Sequence, residues 1–495
     1  MSCTTILVGK NASYDGSTMI ARNDDSGAGH FTPKKFSVMM PDGQPRHYRS
    51  VLSHVEIDLP DDPMRYTCVP NAVEGVGIWA AHGVNEANVA MTATETITSN
   101  ERVLGADPLV EYIPAEKSED GEEHAGGIGE EDLVVLVLPY IHSAREGVIR
   151  LGSLLEQYGT YEMNGIAFAD VNEIWWLETI GGHHWMARRV PDECCVIMPN
   201  QLGIDQLNLE DAFGDQKETM CSADLREFIA KNHLDLSMDG ELNPRDAFGS
   251  HEDADHVYNT PRAWYMAKRL LPNSFIWEGP DREFTPESDD LPWCLVPEKK
   301  ITPEMIKYLL SSHYQGTEYD PYGTYGPEEN RGRYRSIGIN RTDVLAMMQI
   351  RPYRPESSRT VEWVCFGSNA FNAWIPLYTN IVEVPAYLSS TDKNVSTDSL
   401  YWNSRLIGAL SDAAYKQNLI HIERYQLAVQ SKGMENLNHY DVLLDKADGL
   451  EAQKICEEAN QHMADVMQML TSDTLGKVLD EACANMKNCY ARSDA

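Results

Sequence analysis

Short apolar runs separated by glycine, asparagine and aspartate turns fill most of the chain, and long amphipathic stretches with charged faces fill its end. Residues 4–8 (Thr-Thr-Ile-Leu-Val) and 17–25 (Ser-Thr-Met-Ile-Ala-Arg-Asn-Asp-Asp) are extended-type runs, and Gly9 and Asp15-Gly16 bracket the connection between them. The pattern predicts a β-hairpin. With a loop symmetric about its glycines, position 9 faces 16 and position 3 faces 22. A second hairpin is expected where residues 77–81 and 89–93 flank the turn-like Gly83-Val84-Asn85-Glu86,. Residues 114–132, rich in Glu and Gly, read as an exposed acidic connector. Apolar positions at helical spacing over 133–158, closed by Gly159, predict a long helix bent near Pro139,.

Residues 166–169, 173–179, 185–190 and 194–198 then form four short runs, separated by Asp-Val-Asn, Gly-Gly and Pro-Asp turns. Connections this short imply antiparallel neighbours in one sheet. Helices are expected at 222–232 and 302–313, strands at 361–366 and 374–378, and helix alone from about 398. Strand runs with helices grouped apart from them indicate an α+β chain of antiparallel sheets carrying helical layers. Two regions follow: 1–397, holding the sheets with insertions, and 398–495, a helical region packed on them.

Composition narrows the function classes. The chain has 495 residues, 42% of them hydrophobic, with ten Trp and 23 Tyr, enough for a large core,. No apolar stretch reaches membrane-spanning length, and no basic-then-apolar leader opens the chain, so a cytoplasmic location is expected. A net charge of −35 argues against nucleic acid and anionic membrane as partners, since both select a basic face,. The ten cysteines, at 3, 68, 194, 195, 221, 294, 365, 456, 483 and 489, follow no metal or disulfide rhythm and read as reduced thiols,.

Cys3 differs from the other nine. It stands at the chain's start and at the head of a strand, and the hairpin brings Arg22 to it. The thiolate is the nucleophilic form of cysteine, and a neighbouring Arg can lower a thiol pKa from about 8.5 toward neutrality or below. No His lies near it in sequence. A cut after Ser2 would place an α-amine on Cys3 itself, with a pKa of about 7.7–8.0 suited to a general base.

This arrangement resembles the N-terminal-nucleophile (Ntn) hydrolases and, within them, the dipeptidase A family of cysteine peptidases. The segments that match are the opening Cys3 to Lys10, the Tyr14-Asp15-Gly16-Ser17 turn, Ile20-Ala21-Arg22, Gly83 to Glu86, Asn164-Gly165-Ile166 through Glu178, His184 to Val190, and Pro199-Asn200-Gln201. The resemblance implies a four-layer αββα sandwich, dipeptide hydrolysis through a thioester, self-processing and no cofactor or metal. It also assigns roles. Asp25, three places after Arg22, orients the amine, with Asp24 a neighbour in the turn; Asn200 steadies the oxyanion, with a turn-forming Asn as its alternative. Arg335, in the Arg-rich segment 331–341, is the further Arg near the nucleophile, with a solvated basic patch as its alternative. The stretch Thr94-Glu95 is a candidate for a second, main-chain oxyanion donor.

Rival readings follow from the same residues. An Ntn amidase acting on a non-peptide acyl amide, as in penicillin or bile-salt hydrolases, shares the nucleophile, but those chains are usually shorter and lack the Trp-Trp-Leu-Glu segment. A secernin-like, non-catalytic interaction protein is the rival from another class. Cys3, Arg22, Asp25 and Asn200 together argue against it, and Met1-Ser2 ahead of Cys3 keeps it open. Dipeptides are the expected partners, and self-association into a homo-oligomer is left open. His251 and His256 imitate a zinc-peptidase helix but are five apart, and His183-His184 has no ligand at metal spacing,. There is no Gly-x-Ser-x-Gly elbow, P-loop or dinucleotide fingerprint,.

Overall fold

The computed structural model describes residues 3–238 and 240–486. Met1, Ser2, where the expected cut falls, and Cys489 lie outside them.

Two antiparallel sheets carry the fold. One has seven strands, in the order Cys294–Leu295, Cys195–Met198, Thr4–Val8, Thr18–Asp25, Thr342–Ile350, Thr360–Phe366 and Ile375–Tyr378. The other runs Thr219–Cys221, His184–Arg189, Ile174–Ile180, Asn164–Ala169, Ala90–Thr92, His82–Asn85, Tyr66–Cys68 and Ser37–Met39, with Glu95–Thr96 also pairing with Asn164–Ala169. The Thr18–Asp25 strand packs against Asn164–Ala169 and Ala90–Thr92, so the sheets face each other. Their shared core includes Ile6, Ile20, Ala167, Trp176 and Met347. On the outer face of the second sheet lies the Ala144–Tyr158 helix, whose Val148, Leu151 and Leu155 meet Phe168 and Trp175 in a separate core. Against the Ile375–Tyr378 strand of the first sheet pack the long helices Tyr415–Leu444 and Gly449–Ala484. Asn460 joins the last of these to the strand, its Oδ1 accepting from the Tyr378 N–H at 2.8 Å and its Nδ2 donating to Tyr378 O at 2.9 Å.

Several local expectations are corrected. The first hairpin pairs Val8 with Met19 and Thr5 with Arg22, so Arg22 lies across from position 5, not 3. The connection is asymmetric because Gly16 takes a positive φ of 83° late in the loop. Gly83 to Asn85 is strand, not turn; the turn follows it, with Asn85 Oδ1 accepting from the N–H groups of Ala87 and Val89. The 133–158 stretch is two helices, Leu133–Val137 and Ala144–Tyr158, because Pro139 ends the first and Ser143 caps the second,.

The fourth run, Cys195–Met198, leaves its three neighbours and pairs with Thr4–Val8 in the opposite sheet. Its other edge holds Cys294–Leu295, which brings Cys194 and Cys294 to a Cα separation of 5.7 Å, where they form a disulfide; these two are not the reduced thiols expected,. Two central elements had no sequence expectation: the Thr342–Ile350 strand, buried along its whole length, and the Thr260–Leu270 helix.

Candidate active site

Cys3 and Thr5 occupy the same face of their strand, and Arg22 opposite Thr5 leans diagonally across that face. Its Nη2 lies 3.0 Å from Cys3 Sγ. The sulfur-guanidinium contact expected from the sequence is therefore present despite the shifted register. Arg22 is buried, and both terminal nitrogens are engaged: Nη1 donates to Ala81 O at 3.0 Å, and Nη2 also meets Asp24 Oδ1 at 3.3 Å and Glu130 Oε1 at 2.6 Å. Lys34 Nζ approaches Asp24 Oδ2 at 3.1 Å and donates to Trp79 O at 2.7 Å. Despite the cost of burial, Lys34 and Arg22 hold the Asp24 carboxyl below its ordinary pKa.

The Cys3 side chain is wholly buried, and its thiol is pushed up to about 12. Burial is the main cause. Arg22 opposes it, and the carboxylates of Glu130, Glu95 and Asp24 reinforce it. This corrects the expectation that Arg22 alone would bring the thiol toward neutrality. In the chain that carries Met1 and Ser2, the sulfur is a thiol that needs a base.

Asp25 and Asn200 flank this centre. Continuing the hairpin register puts Asp24 across from Cys3 and Asp25 one step beyond, on the side of the Cys3 nitrogen. Arg335 Nη2 donates to Asp25 Oδ2 in a short contact, and Thr342 Oγ1 donates to Asp25 Oδ1 at 2.6 Å. Arg335 is thus buried against Asp25 and is no solvated patch.

Asn200 follows the Cys195–Met198 strand in the left-handed region, φ 59°. Its N–H donates to Glu95 Oε1 at 2.8 Å and its Nδ2 to Thr96 O at 2.9 Å. Glu95 Oε2 accepts from Thr5 Oγ1 at 2.6 Å, and burial raises this carboxyl to about 7.

Three residues that the sequence did not single out complete the site. Arg262, on the Thr260–Leu270 helix, donates to the Cys3 carbonyl, to Thr4 Oγ1 at 2.6 Å and to Asn200 Oδ1 at 2.7 Å, so one guanidinium joins the strand head to Asn200. Burial, followed by the nearby Arg335, lowers its pKa to about 9. Glu130 and Lys34 are the others. Glu130 lies in the segment expected to be a solvated acidic connector, whose last residues, Gly126 to Asp132, are buried. A cavity of about 390 Å³, lined by Phe31, Pro33, Val76 and Trp79 with Lys34, opens onto Asp24.

The decoy histidines lie in ordinary contacts. His251 Nε2 meets Arg245 O, His256 Nε2 meets Asp289, and His183 and His184 both hold Asp107 through Nδ1. No cluster of three His, Cys, Asp or Glu suited to a metal occurs among the described residues. No helix among them is long and apolar enough to cross a membrane.

A buried thiol, its guanidinium partner and a ring of carboxylates meet at a strand head, and comparison with known proteins gives the class of the chain. The model of peptidase family C69 matches residues 2–428, and the chain belongs to that family. Over the full length of both chains it is 53% identical to a dipeptidase of Bifidobacterium longum. It is 51% identical, again over both full lengths, to a probable dipeptidase A of Streptococcus pyogenes. Dipeptidase A of Lactobacillus helveticus shares 43% identity over 97% of this chain and 96% of that one.

Proposed function

We propose that this chain is a cysteine dipeptidase of the Ntn type, acting through Cys3 once Met1 and Ser2 are removed. The observation that carries the reading is the contact of Cys3 Sγ with Arg22 Nη2 at 3.0 Å inside a wholly buried charge cluster. The names of the full-length relatives favour dipeptides over a non-peptide acyl amide. Facing sheets with the Ala144–Tyr158 helix outside one and the C-terminal helices outside the other are consistent with a four-layer αββα sandwich.

In the proposed reaction the Cys3 α-amine, directly or through water, accepts the thiol proton. The sulfur attacks the carbonyl carbon of the first substrate residue, and Arg22 stabilises the charge on sulfur as the proton leaves. Asn200 donates to the oxyanion from Nδ2. The amine returns its proton to the departing amino group, and water then attacks the thioester, releasing the first amino acid and regenerating the thiol. Asp25, fixed by Arg335 and Thr342, orients the amine, and the cavity beside Asp24 receives a substrate side chain.

The test combines intact mass with activity. Active protein should begin at Cys3, and Cys3→Ala should retain Ser2 and hydrolyse no dipeptide while keeping its fold. Full activity with Ser2 still attached, or turnover by Cys3→Ala near that of the unaltered protein, would refute the proposal.

A further inference from the structure

In a dipeptide the scissile carbonyl belongs to the first residue, so the free α-ammonium is bonded to the carbon next to the one attacked. Backbone geometry places that nitrogen about 2.5 Å from the carbonyl carbon, and an attacking sulfur approaches to about 3–3.5 Å. The ammonium therefore sits within about 6 Å of Cys3 Sγ, and whatever recognises it must lie in the immediate surroundings of the nucleophile. Four carboxylates are candidates. Asp24 is taken by Arg22 and Lys34. Asp25 is taken by Arg335 and Thr342. Glu95 spends one oxygen on Thr5 and the other on the Asn200 N–H.

Glu130 differs from these three. Its Oε1 meets Arg22 Nη2 at 2.6 Å, one guanidinium nitrogen away from Cys3 Sγ, while its Oε2 is buried and has no hydrogen-bond partner among the described residues. The Glu130 and Arg22 side chains are each 3% exposed. A buried carboxylate oxygen with no donor carries a desolvation cost that a charged donor removes. The Glu130 main chain is itself anchored, its N–H donating to Glu162 Oε1 at 2.6 Å.

The geometry points to Glu130 as the acceptor of the substrate's free α-ammonium group, the residue that restricts cleavage to peptides with an unblocked first residue. The inference rests on the dipeptidase reading above. A cation reaching Oε2 forms a charge-assisted hydrogen bond in a site of low polarity, and an acylated amine offers a single neutral N–H with a bulky substituent. Glu130 then sets substrate selection while Arg22, held by its other oxygen, stays on the sulfur.

The experiment compares alanylalanine with its N-acetyl derivative, following release of the C-terminal alanine, in the unaltered protein and in Glu130→Gln. Intact mass first establishes that both proteins begin at the same residue. The unaltered protein should favour the free dipeptide by about a hundredfold or more in kcat/KM. Glu130→Gln should lose at least tenfold of that preference, chiefly through a higher KM for the free dipeptide. Equal losses on both substrates would make Glu130 a support for Arg22 alone and overturn the inference. Should Glu130→Gln fail to fold, the unaltered protein still decides, because comparable cleavage of the acetylated peptide overturns the inference by itself. Failure of the dipeptidase reading looks different: the unaltered protein then hydrolyses neither substrate.

Discussion

Replacing Arg262 tests whether the candidate site depends on a residue distant from Cys3 in sequence. Its guanidinium is wholly buried and donates to the carbonyls of Cys3, Tyr258 and Pro199, to Thr4 Oγ1, and to the side-chain oxygens of Asn200 and Asn259. Five charged N–H donors at about 1.5–3 kcal/mol each contribute about 8–15 kcal/mol in gross terms. Against this stands the cost of the buried charge. Burial and the neighbouring Arg335 lower the group from 12.5 to about 9, so desolvation offsets much of that gross sum,. The net loss is about 3 kcal/mol or more, in the range found for breaking buried ionic networks. Arg262→Lys keeps the charge but not the planar fork, so it should lose about half as much stability. Both variants release Asn200 Oδ1 and the Cys3 carbonyl, and kcat should fall at least tenfold. The assay pairs urea unfolding midpoints at pH 7 with dipeptide turnover. An Arg262→Met protein with an unchanged midpoint and kcat within twofold would refute the argument that this guanidinium fixes the strand head against Asn200.

Two further predictions use the buried titrating groups. A thiol pushed up to about 12 exposes about one thiolate in ten thousand at pH 8,. In chain that retains Ser2, iodoacetamide should therefore label the buried Cys3 far more slowly than the exposed Cys483, and peptide mapping that finds comparable rates would contradict the charge-cluster account,. Glu178 is wholly buried, accepts from Trp176 Nε1 at 2.9 Å and the Gly203 N–H at 2.7 Å, and is raised by burial from 4.5 to about 7. Because its folded pKa lies above the unfolded one, its contribution is fully present below about pH 4.5 and is lost as pH rises through 7, a swing of about 3 kcal/mol. Glu178→Gln should flatten the decline of the urea midpoint between pH 5 and 8, and an unaltered slope would count against that shift.

The hairpin was legible because Gly9 and Gly16 punctuate two extended runs, and the catalytic candidates came with it. Register was not legible, since the loop's asymmetry arises from backbone conformation at Gly16 and not from its composition. Arg22 still reaches the sulfur, as a long side chain spans a diagonal on one sheet face. Arg262 and Glu130 carried no local signal: their contacts with the site cross 259 and 108 positions of sequence. Composition concealed Glu130 further, because an acidic, glycine-rich segment normally indicates solvent. The Thr342–Ile350 strand is buried on both faces and lacks the alternation that marks a half-exposed strand,. The fourth of the short runs at 166–198 changes sheets at the Pro191-Asp192 turn, a step that short turns alone do not reveal, and that change carries Asn200 to Cys3.

Charge balance links these pieces. Arg22, Lys34, Arg262 and Arg335 lie with Asp24, Asp25, Glu95 and Glu130 in one buried set of charged side chains, in which burial raises Glu95 to about 7. A thiolate added to this set is a further buried anion, and burial first, then the carboxylates of Glu130, Glu95 and Asp24, holds the Cys3 thiol high against the pull of Arg22,. Arg22 cannot offset it alone because its Nη2 already serves Asp24 and Glu130. A further cation beside the sulfur offsets part of that cost, and the proposed reaction has two sources of positive charge: the new α-amine takes up the thiol proton, and the substrate brings its ammonium to Glu130. On this reading the sulfur is costly to ionise in the unprocessed, empty site and easier to ionise once a free amino terminus lies beside it. Cutting the chain at Cys3 and selecting an unblocked substrate then follow from the same electrostatic requirement.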